Sequence, residues 1–147
     1  MADPKVLITG ASGLIGGLVL RDLSNRYDFS GLSRHPVAGI PYTRASITDL
    51  HAIRPAFRGM DAVLHLGVSV AVDDWDEQMT VTAAGTLNVF RAAQEAGVKH
   101  VVFMSSGSTM CGWEWDDALP YGRLARPRRN PLQNPHDRPT PFVTLLG

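Results

Sequence analysis

The sequence has 147 residues and a mass of 16.0 kDa, the size of one ordinary domain. Fourteen basic and fourteen acidic residues cancel, and 44% of the residues are hydrophobic. That excludes wholesale disorder and gives no sign of a nucleic-acid or membrane-surface binder. No apolar run approaches the ~20 residues of a bilayer span, and Met1 to Leu7 does not read as a signal peptide. The single cysteine, Cys111, rules out a disulfide framework and a thiolate metal site, so a cytoplasmic setting is expected.

The elements follow in chain order. Lys5 to Thr9 is a short apolar run closed by Gly10, the pattern of a buried parallel strand. A helix is predicted from Leu14 to about Arg26, with Leu14, Leu18 and Leu23 near one face. Phe29 to Ser33 reads as a second strand, and Ile40 to about Ala45 as a weaker third, limited by Pro41. Thr48-Asp49 can cap a short helix to about Phe57, which Pro55 shortens or bends. Asp61 to Leu66 is the fourth strand, on which His65 alternates with apolar neighbours and reads as a satisfied interior histidine. Trp75 to Ala96 is the longest helix, interrupted at Gly85 and stopped by Gly97, and His100 to Ser105 is the fifth strand.

Strands alternating with helices predict an α/β fold, a doubly wound, Rossmann-type parallel sheet of about five strands. Its ligands bind beyond the carboxyl ends of the strands, where the strand order reverses. The balanced charge hides a split. Residues 1–122 carry a net charge of −4 and residues 123–147 a net charge of +4, and six of the ten prolines follow residue 119. Residues 1–112 are therefore read as the folded domain and 113–147 as an irregular or disordered Pro/Arg-rich tail.

Thr9-Gly10-Ala11-Ser12-Gly13-Leu14-Ile15-Gly16 joins the first strand to the first helix. Gly10 permits a tight turn. Gly13 clears a side chain where backbone meets a pyrophosphate, and Gly16 brings the helix close. The free amides and the dipole of the helix start favour phosphate charge. The strand before, the helix after and further βα units downstream are the context such a loop requires.

This loop, TGASGLIG, resembles that of the extended short-chain dehydrogenase/reductase family, the NAD-dependent epimerases and dehydratases. Leu64-His65-Leu66-Gly67 resembles the family's loop after strand four, Gly85-Thr86-Leu87-Asn88-Val89 with Ala92-Ala93 its long helix, and Val101 to Ser106 the strand that carries the catalytic hydroxyl. The resemblance covers about residues 4–112. It lies nearest to the sugar and uronate dehydrogenases, and it implies the strand order 3-2-1-4-5.

The resemblance also implies the site. Gly10, Ser12, Gly13, Leu14, Ile15 and Gly16 would cradle the diphosphate. Ser33 and Arg34 would meet the adenosine ribose, Ser46 and Ile47 the adenine, and Leu66, Gly67 and Val68 the adenine–ribose side. Thr82 stands where the family usually has asparagine, and Met104 and Ser105 end the fifth strand. An arginine after strand two pairs with a 2′-phosphate where an acidic residue would accept from a 2′-hydroxyl, so Arg34 favours NADP over NAD.

The family moves a hydride between the nicotinamide and a carbon bearing oxygen. A tyrosine with a lysine four residues on handles the proton, and a hydroxyl residue holds the substrate oxygen. Ser106 matches the hydroxyl, with Ser108 and Thr109 as alternates. The pair is absent: Tyr27, Tyr42 and Tyr121 are followed four residues on by Gly31, Ser46 and Ala125, and the only lysines are Lys5 and Lys99. Two readings stand. One is a truncated or frame-shifted product, which the change in composition favours; the other is a natural short relative that binds nucleotide without hydride chemistry.

The function expected is thus the NAD(P)-binding domain of an oxidoreductase or epimerase acting on a sugar-like hydroxyl or carbonyl substrate, catalytically incomplete as this chain. The alternative is a non-catalytic nucleotide-sensing or protein-interaction module. The partners expected are the dinucleotide, a small-molecule substrate in a complete form only, and a second copy of the chain, since relatives often pair through two helices. Neither nucleic acid nor membrane is expected. Trp113 to Asp117 could line a pocket or form a surface turn. Asp73, Asp74 and Asp76 read as a helix cap rather than a metal site, and the five histidines show no ligand spacing.

Overall fold

Lys5–Thr9 forms β1, the central strand of the sheet in a computed structural model of the protein. The structure describes residues 3–69 and 74–105, together with the backbone of 113–115 and 124–127. The chain divides into two compact units, residues 1–104 and 105–147. In the first unit α1 is Leu14–Leu23, β2 is Asp28–Ser33 and β3 is Tyr42–Arg44. Leu50–Ile53 is α2, tightened into a 3₁₀ turn over Arg54–Phe57 at Pro55. Ala62–His65 is β4 and His100–Phe103 is β5.

The sheet runs β3-β2-β1-β4-β5 with every pair parallel, the order and sense expected. The strand order reverses between β1 and β4, so the turns after those two strands flank the switch point. Side chains of β1 alternate between two cores, because successive residues of a strand face opposite sides. Leu7 joins Leu32, Val63, Ile53, Phe57 and Val89 under the helices on one face. Val6 and Ile8 join Phe29, Val37 and the helix α1 residues Val19, Leu20 and Leu23 on the other. β1 is buried on both sides, which is why it reads as an unbroken apolar run.

Several expectations shift. Helix α1 stops at Leu23, and Leu14 and Leu18 are not on its buried face: Leu14 is 83% exposed. The inward stripe is Gly16, Val19, Leu20 and Leu23, the i, i+3, i+4, i+7 set. The long helix is continuous rather than broken at Gly85. Trp75–Glu77, α3, passes through a π-helical stretch, Gln78–Ala84, into Gly85–Glu95, α4. Gly85 is buried there because Ile47 lies against it; a Cβ on Gly85 would stand 2.7 Å from Ile47 Cγ1. Asp74 caps α3 by accepting from the Glu77 amide at 2.9 Å, the capping reading of the aspartate cluster.

In the second unit, Trp113–Trp115, β6, pairs antiparallel with Leu124–Pro127, β7, with a register shift at Glu114/Trp115. Both segments fall within residues 113–147, the stretch read from the sequence as an irregular or disordered tail. No helix among the described residues is long and apolar enough to cross a membrane.

Candidate functional site

The turn after β1 is set by steric necessity. Gly10 has φ +71°, and a Cβ there would lie 2.9 Å from the Gly67 nitrogen and the Leu66 carbonyl. The turns after β1 and β4 are therefore in backbone contact, and only glycine fits between them. Gly16 is closed in the same way: a Cβ would lie 2.7 Å from Ala11 Cα and the Gly10 oxygen. Helix α1 thus folds back onto its own loop rather than only onto the strand.

Gly13 is the N-cap of α1 and supplies no side-chain acceptor. Its amide donates to the Gly10 oxygen at 3.0 Å, and the Gly17 amide returns to the Gly13 oxygen at 2.9 Å. The amides of Leu14, Ile15 and Gly16 have no acceptor among the described residues. A Cβ on Gly13 would meet only the Gly10 oxygen, at 3.3 Å. The site is a helix start with unspent donors and no side chain on its cap, the donor set that suits a diphosphate.

The neighbouring turns add hydroxyls and a cation. Ser12 Oγ lies 3.1 Å from Ser33 Oγ, which also accepts from the His35 amide at 3.2 Å. Arg34 follows β2, is exposed, and has no ion pair among the described residues. Past β3, Ser46 Oγ lies 2.8 Å from Thr48 Oγ1, so this hydroxyl is engaged in its own turn. Asn88 of α4 donates to the carbonyls of Ile47 and Thr48 at 3.0 and 3.2 Å, which pins that loop to the helix.

The turn after β4 is held differently. Thr9, His65 and Thr86 are buried in a row. Thr9 Oγ1 bonds His65 Nδ1 at 2.5 Å, and His65 Nε2 bonds Thr86 Oγ1 at 2.9 Å. The Gly67 amide donates to Thr9 Oγ1 at 3.2 Å. Burial pushes the His65 imidazole down to about 4, with no charged neighbour contributing. Ser69 is tied beyond it: its amide donates to Thr82 Oγ1 at 3.0 Å, and its hydroxyl donates to Glu77 Oε1 at 2.9 Å.

These features match a known family profile, that of the NAD dependent epimerase/dehydratase family, over residues 6–131. The chain belongs to that family. Among its relatives, the NAD-dependent glucose-6-phosphate dehydrogenase of Haloferax volcanii is 32% identical over 128 residues, 80% of this chain and 49% of that one. The uronate dehydrogenase of Agrobacterium tumefaciens superposes with a TM-score of 0.69 at 25% identity, covering 78% of this chain and 45% of that one. The UDP-glucose 4-epimerase of Thermus thermophilus, solved in complex with NAD, gives 0.70 at 26% identity, covering 96% and 50%. This chain spans about half the length of these epimerase/dehydratase relatives.

Against the set expected for such a family member, the structure brings Gly10, Ser12, Gly13, Gly16 and Ser33 to one carboxyl edge, beside Leu66 and Gly67. Leu14, Ile15 and Val68 present apolar surface there, exposed by 83%, 46% and 43%. Ile47 packs on Gly85. Thr82 is buried with its hydroxyl committed to the Ser69 amide and to Gln78 Oε1, so it acts through the β4 turn rather than by presenting a free group. Met104, 45% exposed, donates its amide to the His65 carbonyl at 3.1 Å. Ser105 opens the second unit. Ser106, Ser108 and Thr109 lie outside the described residues.

The sequence alone marks His65 as a satisfied interior histidine and gives Thr9, Thr86 and Asn88 no role of their own. Asn88 stands within the motif that resembles the family's long helix, three residues past Gly85, the one signal that could have singled it out. Among the described residues no His, Cys, Asp and Glu set could hold a metal ion.

Proposed function

We propose that this chain binds a pyridine dinucleotide across the carboxyl edge of β1, β2 and β4, with NADP preferred to NAD. It would serve as the cofactor-binding part of an oxidoreductase or epimerase that acts on a sugar-like hydroxyl or carbonyl group, in a cytoplasmic setting. The observation that carries this reading is the set of amides at Leu14, Ile15 and Gly16 with no acceptor among the described residues, behind a capping glycine. Bound there, the dinucleotide would supply the hydride-carrying ring. The chain's own part is to hold the diphosphate at those amides and a ribose near Ser12 and Ser33.

The preference for NADP rests on charge. Arg44 stands opposite Ser33 in the β2–β3 register, so two exposed guanidinium groups, Arg34 and Arg44, flank that serine. Neither has an ion pair among the described residues. A 2′-phosphate would meet two cations where a 2′-hydroxyl would leave them unpaired. The relatives named with NAD argue the other way, and the Arg34→Ala variant decides between them. The wild type should bind NADPH at least about tenfold tighter than NADH, a ratio that collapses toward one in the variant. Ratios near one in both proteins remove the preference.

The sequence contains no Tyr-x-x-x-Lys pair, so dinucleotide binding without the family's hydride transfer is expected from this chain. That same feature favours a second reading, a nucleotide-sensing module. A specific protein partner captured through residues 113–147, together with stabilisation by NADPH, would favour it. The general test is a melting curve. Ligand at a hundred times its Kd should stabilise the fold by about 2.7 kcal/mol, and no shift with either NADPH or NADH would remove the binding claim.

A further inference from the structure

We infer that Thr9, His65 and Thr86 form a positioning relay that presets the turns after β1 and β4 for the dinucleotide. The inference deepens the binding function proposed above and rests on it. Its geometry is a chain of hydrogen bonds through β1, β4, α4 and the turn after β4. The Gly67 amide donates to Thr9 Oγ1, Thr9 Oγ1 bonds His65 Nδ1, and His65 Nε2 bonds Thr86 Oγ1 of α4. Thr9 ends β1 immediately before Gly10, and His65 ends β4 immediately before Leu66. The backbone continues the tie: the Leu66 amide donates to the Thr9 carbonyl at 3.1 Å, and the Met104 amide donates to the His65 carbonyl at 3.1 Å. His65 therefore ties the two turns through its ring and the chain leaving β5 through its backbone carbonyl.

The relay closes with a neutral imidazole in either tautomer. Thr9 Oγ1 accepts from the Gly67 amide and either donates to Nδ1 or accepts from it, while Thr86 Oγ1 takes the complementary role at Nε2. Each polar atom of the row then has a partner, as buried groups require. Thr9 and His65 are both wholly buried, so no water competes for these bonds. Phe103 lies against the ring, with centroids 5.5 Å apart, and fixes its plane.

Removing the Thr9 hydroxyl strands two groups at once, the buried Nδ1 and the half-buried Gly67 amide. The Gly67 nitrogen is also the atom against which Gly10 is pressed. A change at Thr9 is thereby passed to the diphosphate turn through backbone contact. No residue of the relay reaches the carboxyl-edge surface, so its effect on binding is indirect.

The test uses the full chain, NADPH and NADH as probes, and calorimetric Kd values taken at a temperature where every variant is folded. Thr9→Val should raise Kd by about tenfold or more, while Thr9→Ser, which restores the hydroxyl, stays within about threefold of the wild type. If Thr9→Val does not fold, Thr86→Val frees only the far end of the relay and should raise Kd by a smaller factor. ¹⁵N imidazole spectra of the wild type should show a neutral ring held in a single tautomer, one nitrogen protonated and the other bare. Folded Thr9→Val or Thr86→Val binding like the wild type, or a wild-type His65 ring averaging between tautomers, overturns the relay while leaving the dinucleotide site standing. Wild-type protein that binds neither nucleotide overturns the site, and the relay's role with it.

Discussion

The turns after β1 and β4 meet at the switch point of the sheet, yet they are built on opposite principles. The first is made by what is missing. Gly10, Gly13 and Gly16 remove side chains so that backbone can pass backbone, and three amides are left without acceptors among the described residues. The second is made by what is filled: Thr9, His65 and Thr86 saturate one another, and Thr82, Gln78 and Glu77 do the same around Ser69. An emptied turn can receive an anion, while a saturated turn can only hold its shape. A binding edge needs both, a receptive loop and a rigid one to brace it.

The largest effect should come from filling the emptied turn. Gly10→Ala adds a Cβ within 2.9 Å of the Gly67 nitrogen at a backbone φ of +71°. Strain and overpacking together should cost about 4 kcal/mol in chemical denaturation. A near-neutral Gly10→Ala would break the claim that the two turns touch.

Next comes the saturated turn, through pH. His65 has an ordinary value of 6.5 and is pushed down to about 4 by burial, since Thr9, Thr86 and Phe103 carry no charge. Between those values the unfolded chain binds the extra proton and the folded chain does not. The His65 contribution therefore falls as pH drops from about 6.5 through about 4, by about 3 kcal/mol in all, and levels off below. Subtracting the pH profile of His65→Gln from that of the wild type should isolate the slope. Parallel profiles would show that the imidazole titrates normally and that the turn is not sealed.

Smaller effects sharpen the contrast. Asn88→Ala releases the Ile47 and Thr48 carbonyls from α4 and should cost about 1 kcal/mol, read by urea unfolding. Gly17→Ala is the counter-case to Gly10. A Cβ at Gly17 meets nothing within 4 Å, and the residue is inside a helix, so this variant should gain about 0.5–1 kcal/mol. A destabilised Gly17→Ala would mean that α1 is covered on a face where the structure shows open space.

The same contrast explains what could be read from sequence. Glycine spacing is a local signal. It exposed the first turn and, with the motifs of Leu64 to Gly67, Gly85 to Ala93 and Val101 to Ser106, carried the resemblance that implied the strand order, while the apolar run of Lys5 to Thr9 marked a buried strand. Hydrogen bonds across 21 and 56 residues of separation, as at His65, leave no local pattern, so the relay reads only as an interior histidine. Helix α1 misleads for a related reason. Three leucines at near-helical spacing suggest a buried face, but Leu14 sits in the first turn at the rim of the site, and glycine occupies the inward position. Gly85 reads as a break because glycine disfavours helix; its role is to admit Ile47, a contact that only the folded chain supplies.

The most direct test of the central claim is an NMR titration of the ¹⁵N-labelled full chain with NADPH and NADH. The amides of Leu14, Ile15 and Gly16 should move most, saturating with the same Kd as the calorimetric signal. A folded sample at saturating nucleotide in which those three amides stay in place would contradict the dinucleotide site.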